Sequence, residues 1–120
     1  MIKRVVISGS RNYNNYDEAR GYIDFCISEI RKKFTLIFVS GGCRGADKLG
    51  ERYAAENGFQ FEEYPADWEK YGKSAGPKRN IQMAEVGDYF ICFPARDSMG
   101  TKFMIEYVTK LRKPIRIKRV

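Results

Sequence analysis

The 120-residue chain contains no histidine. That absence removes Ser-His and Cys-His nucleophilic catalysis, histidine metal ligation and imidazole acid–base chemistry, leaving Asp, Glu, Lys, Arg, Tyr and Cys for any catalysis. Cysteine is scarce too: Cys26, Cys43 and Cys92 are odd in number, far apart and without a C-x-x-C spacing, which argues against a disulfide framework and a structural zinc site. No apolar run approaches the ~20 residues of a membrane span. The N-terminus, Met1-Ile2-Lys3-Arg4-Val5-Val6, enters a strand-like run instead of a signal peptide, so a cytoplasmic protein away from membranes is expected. Neither G-x-G-x-x-G nor G-x-x-x-x-G-K-[ST] occurs, which argues against the usual dinucleotide oxidoreductase and the P-loop NTPase. There is also no internal repeat, low-complexity tract or linker, and the length suits one domain spanning residues 1–120.

What is present is positive charge and a regular alternation of elements. The formal charge of +7 favours anionic partners, either nucleic acid or a phosphorylated small molecule. Part of it lies in Lys110 to Arg119, a solvated face or an interface with acidic partners.

Val5-Val6-Ile7, within a strand from Lys3 to Ser8, has no polar alternation, as in a strand buried on both faces of a parallel sheet. Asn15 and Glu18 form a plausible capping box for a helix with the stripe Ile23, Cys26, Ile27, Ile30 and Phe34. Thr35 to Ser40 is a second buried strand, followed by a helix from Ala46 that stops at Gly58. Gln60 to Tyr64 reads as a third strand, and Pro65 to Ala75 as a long aromatic and charged loop of the kind that carries function. Gly76-Pro77 opens the next helix, Asp88 to Phe93 is a fourth strand, and a helix with Met104, Tyr107, Val108 and Leu111 on its core side follows. Ile115 to Lys118 is a last strand near an edge.

This order predicts an α/β, Rossmann-like three-layer α/β/α sandwich on a mostly parallel sheet of about five strands, joined by right-handed crossovers. Ligands of such folds lie beyond the carboxyl ends of the strands, where the strand order reverses. Four strand ends carry the unusual residues: Gly9-Ser10-Arg11, Gly41 to Asp47, Pro65 to Lys73 and Pro94 to Thr101. Glycines at a strand-to-helix turn let backbone amides and a helix N-terminus meet an anion, although the same glycines also serve close strand–helix packing. Cys43, beside Arg44 in such a turn, is the one cysteine placed for reactivity.

Taken together, Gly9-Ser10-Arg11, Gly41-Gly42-x-Arg44-Gly45-Ala46-Asp47, Pro65-Ala66-Asp67-Trp68, Tyr71-Gly72-Lys73, Ala75-Gly76-Pro77-x-Arg79-Asn80 and Ser98-x-Gly100-Thr101 resemble the YspA-like family of the SLOG superfamily, across nearly the whole chain. The resemblance implies a Rossmann-like domain that binds nucleotide-derived ligands, often ADP-ribose-like, in many contexts as a sensor; relatives form dimers or larger assemblies, so a homo-oligomer is expected. Cys43 stands where that family usually has alanine. The Lonely Guy phosphoribohydrolases are more distant: Arg79-Asn80-Ile81-Gln82-Met83-Ala84, Asp88 and Phe93-Pro94 are similar to their segment before the glycine turn. The turn itself departs, and the position of their catalytic glutamate is Met104, which can neither accept a proton nor stabilise an oxocarbenium ion. Glu106, two residues on, lies roughly 200° around a helix from that position.

The candidate ligand contacts are Gly9, Ser10, Arg11, Gly41, Gly42, Arg44, Gly45, Asp47, Trp68, Tyr71, Lys73, Lys78, Arg79, Asn80, Ser98, Gly100 and Thr101. Asp47 has an equally good reading as a helix-start residue that satisfies free amides, and Ser98 and Thr101 as helix caps. Trp68 and Tyr71 are either packing aromatics or a base-stacking lid. No cofactor is required; the expected partner is a nucleotide-derived phosphorylated small molecule. A nucleotide-processing enzyme using Asp47 or Glu106, and a nucleic-acid binder, are the rival classes.

Overall fold

A computed structural model describes residues 1–120. Five strands, β1 (Ile2–Gly9), β2 (Thr35–Ser40), β3 (Gln60–Glu63), β4 (Tyr89–Phe93) and β5 (Ile115–Ile117), form one sheet in the order β3-β2-β1-β4-β5. Every neighbouring pair is parallel. The helices are α1 (Tyr16–Ile27), α2 (Ile30–Lys33), α3 (Ala46–Glu56), α4 (Trp68–Tyr71), α5 (Ala75–Val86) and α6 (Met99–Lys110). No helix is long and apolar enough to cross a membrane.

The unbroken apolar runs are explained by two cores, one on each face of the sheet. Val5, Ile7, Phe38, Ile91 and Phe93 pack with Ala19, Ile23 and Ile27 of α1 and Tyr53 and Ala54 of α3. Val6, Val39, Phe90 and Cys92 pack with Met83 and Ala84 of α5 and Met104 and Val108 of α6. Alternate residues of these runs thus enter opposite cores, which is why the runs carry no polar alternation. Burial pushes the Cys92 thiol up to about 12, as befits an inert core residue.

Four local expectations are corrected. The stripe from Ile23 to Phe34 is not one helix: the Ser28 hydroxyl donates to the Phe25 carbonyl at 3.0 Å, α1 ends at Ile27, and Phe34 is already extended. The Pro65–Ala75 loop is largely helical, because the Asp67 carboxylate accepts from the Lys70 amide at 3.1 Å to cap α4, and a 3-10 turn, Gly72–Ser74, leads into α5. Glu18 does not close a capping box; Asn15 accepts from its amide, but its carboxylate takes the Tyr13 hydroxyl at 2.7 Å. Leu111 lies past the end of α6 and is exposed. Within the basic C-terminal stretch, Lys113 is engaged: its ammonium donates to the carbonyls of Ala84, Glu85 and Gly87 and closes the end of α5.

Candidate functional site

The chain runs outward from β1 to β3 on one side and then crosses to β4 and β5 on the other, so the strand order reverses between β1 and β4. At their carboxyl ends a cavity of about 370 Å³ opens, in the range of small-ligand sites. Gly9, Ser10 and Arg11 enter it from β1, Arg44 and Asp47 from the start of α3, Arg79 and Asn80 from α5, and Ser98, Gly100 and Thr101 from the start of α6. These are sequence candidates that the fold brings together.

The remaining candidates lie elsewhere. Gly41 and Gly42 sit behind the cavity: a side chain on Gly41 would strike the Arg79 guanidinium, and one on Gly42 would strike Glu63. Gly45 has φ +82° and lies against the backbone of Ser10 and Arg11, so it joins the two turns instead of lining the cavity. Trp68 and Tyr71 are exposed on α4, outside the lining. The ammonium of Lys78 lies 4.9 Å from the centre of the Tyr71 ring, and Lys73 is exposed in the 3-10 turn.

Sequence reasoning missed Ser8, Asn12, Met83, Asp97 and Met99 as lining residues, along with Cys43, which it weighed only as a reactive thiol. Met83 was within reach, since it follows Arg79 by four residues and shares its helix face. Ser8 and Asn12 flank a strand end already singled out.

In the turn before α3 the amides of Gly41, Gly42 and Cys43 are satisfied from within, while those of Arg44, Gly45, Asp47 and Lys48 have no acceptor in the protein. Asp47 Oδ2 accepts from the amides of Gly41 at 3.1 Å and Cys43 at 3.2 Å, and Ser40 Oγ accepts from Gly42 at 3.1 Å. Ala46 donates to the Ser10 carbonyl at 3.0 Å. Arg79, itself buried, donates through Nη1 to the Gly41 carbonyl at 2.9 Å and through Nε to Asn80 Oδ1 at 2.8 Å, while Nη2 lies 3.8 Å from Cys43 Sγ. Asp47 is 6% exposed, and burial pushes its carboxyl up to about 6, against the opposing pull of the Cys43 amide, the Arg79 charge and the Gly41 amide.

In the turn before α6 the free amides belong to the first turn of the helix itself. Ser98 Oγ accepts from the Ala95 amide at 2.9 Å and so does not cap α6. Met99 donates to the Asp97 carbonyl, and the amides of Gly100 and Thr101 have no acceptor within the protein. The positive end of a twelve-residue helix therefore opens on the cavity. Thr101 is 5% exposed, and its hydroxyl has no protein partner. Arg11 and Arg44 in the lining are exposed and make no ion pair; the lining's carboxylates are Asp47 and Asp97. The position of the phosphoribohydrolase glutamate, Met104, lies fully buried in the α5–α6 core, and Glu106 is exposed outside the cavity.

Residues 3–71 match the YspA, cpYpsA-related SLOG family. The chain is 36% identical to the Gene 61 protein of Mycobacterium phage D29 over 121 residues, covering 95% of this chain and 94% of that one. Its fold is similar to that of the structural-genomics target TM1055, with a TM-score of 0.66, 21% identity, and coverage of 96% of this chain and 72% of that chain. It is also similar to DNA processing protein A (DprA) from Streptococcus pneumoniae, with a TM-score of 0.70 and 18% identity, covering 98% of this chain and half of that one. Both structural likenesses are of fold alone. The family match over more than half of the chain and the phage relative over nearly all of it place this protein in the YspA, cpYpsA-related SLOG family.

Proposed function

We propose that the protein binds a nucleotide-derived phosphorylated small molecule, of the ADP-ribose or cyclic-nucleotide kind, and senses or sequesters it without cleaving it. The observation that carries this reading is the uncapped start of α6 at the strand-order reversal, facing a cavity with two unpaired arginines in its lining. Free helix amides, the helix dipole and guanidinium groups together suit a phosphate. The hydroxyls of Thr101 and Ser8 add neutral donors. A binding role fits the loss of the glutamate that the phosphoribohydrolases use, because Met104 is core and the cavity's carboxylates are Asp47 and Asp97. Calorimetry with nucleoside mono- and diphosphates, ADP-ribose and its cyclic forms tests the reading. Binding that weakens at least tenfold in Arg44→Ala and Thr101→Ala supports it; no binding, or variants that bind unchanged, refutes it. Release of free base or ribose phosphate on prolonged incubation would favour an enzyme.

A second reading is supported by one feature outside the cavity. Trp68 and Tyr71 are 54% and 41% exposed, with Lys70 and Lys78 over the Tyr71 ring, an arrangement suited to stacking unpaired bases beside a phosphate backbone. Single-stranded oligonucleotide binding that falls steeply with salt and is lost in Trp68→Ala would favour it.

A further inference from the structure

Asp47 has a task in the turn that uses only half of it. Oδ2 takes both the Gly41 and the Cys43 amide, which accounts for a carboxylate at this position. Oδ1 has no donor in the protein, although the residue is 94% buried by its 6% exposure, and it is not sealed from solvent either. Asp47 is one of the residues that line the cavity. Arg79, whose charge acts on this carboxylate, does not take up Oδ1, since its guanidinium is directed at the Gly41 carbonyl, Asn80 and Cys43. An ionised carboxylate oxygen accepts hydrogen bonds and repels phosphate. The same cavity therefore has an end that attracts an anion, at α6, and a point that rejects one, at Asp47.

We infer that Asp47 Oδ1 is the acceptor for a neutral hydrogen-bond donor of the ligand, a sugar hydroxyl or an amino group, and that it fixes which end of a phosphorylated ligand faces α6. This rests on the phosphate reading above and adds to it that the ligand must carry such a donor away from its phosphate. Simple phosphate then fills only part of the site. A ligand lacking the donor leaves a buried carboxylate oxygen dry and unpaired, a loss larger than that of an exposed contact.

The test uses AMP as probe, with 2′,3′-dideoxy-AMP, which removes the sugar hydroxyls, inosine monophosphate, which replaces the amino group, and inorganic phosphate. Calorimetry on the wild type needs no variant and so no assumption about folding. At least one of the two analogues is expected to bind tenfold or more weakly than AMP, and which one does identifies the donor. In Asp47→Asn, checked for an intact fold by its circular dichroism and melting transition, that discrimination is expected to shrink below threefold. If both analogues bind within twofold of AMP, or Asp47→Asn discriminates as the wild type does, the inference is wrong. Binding of inorganic phosphate without AMP overturns it and leaves the phosphate reading standing; binding of neither, with ADP-ribose and its cyclic forms failing as well, overturns both.

Discussion

The turns before α3 and before α6 look alike in sequence, each a short glycine-containing stretch between a buried strand and a helix, yet the amides of Gly41 to Cys43 and those of Gly100 and Thr101 have opposite fates. In Ser40–Asp47 the amides of Gly41, Gly42 and Cys43 are taken by Asp47 and Ser40. In Asp97–Thr101 those of Gly100 and Thr101 find no acceptor. Glycine richness makes a close approach possible, but the anion-binding capacity of a turn is set by whether the chain supplies its own acceptor. The three glycines of the first turn serve packing: Gly41 makes room for Arg79, Gly42 for Glu63, and Gly45 for the backbone of Ser10 and Arg11.

The largest expected effect follows from that last contact. In Gly45→Ala a Cβ at φ +82° meets backbone that cannot step aside, and a loss of about 3 kcal/mol or more in denaturant unfolding is expected. A loss under about 1 kcal/mol would break the contrast between the turns. Nearly as large is the pH effect of Asp47. Its carboxyl titrates near 6 in the folded protein and near the ordinary 3.8 when unfolded, so the folded state holds the proton longer. Stability is expected to fall by about 3 kcal/mol as pH rises from about 4 to 6, and Asp47→Asn, with no proton to lose there, is expected to flatten that slope. Melting curves at half-unit pH steps read both.

The second turn should be far more forgiving. Ser98→Ala removes the bond to the Ala95 amide and is expected to cost about 1 kcal/mol. Gly100→Ala is expected to change stability by less than about 0.5 kcal/mol or to raise it, because the nearest atom, Asn80 Nδ2, is 3.7 Å from the added Cβ and alanine favours the helix. Substantial destabilisation by Gly100→Ala would mean that this turn, too, is held by packing.

How much of this was legible in the sequence depends on the range over which each feature is decided. Runs such as Val5-Val6-Ile7 announce strands buried on both faces because two cores demand apolar residues at every position, and the strand-end blocks announced a shared site. Local capping was only partly legible: the Asp67 cap that turns a presumed loop into α4 was there to be read, while the break after Ile27 depends on one serine hydroxyl turning back on its own helix. Strand order is not written in any single stretch. Without it, Trp68 and Tyr71 follow β3, at the sheet edge remote from the reversal, and seemed as close to the ligand as Arg11 or Thr101. Likewise, that Asp47 uses only Oδ2 within its turn was beyond a choice between cap and ligand contact, since it needs both oxygens to be followed separately.

The contrast between the turns is tested most directly by following backbone amides in ¹H–¹⁵N NMR spectra while AMP is added. The account predicts that the largest shifts fall on Gly100 and Thr101, with Gly41 and Cys43 moving little because Asp47 already holds them. Large shifts at Gly41 to Cys43 with Gly100 and Thr101 unmoved would contradict it.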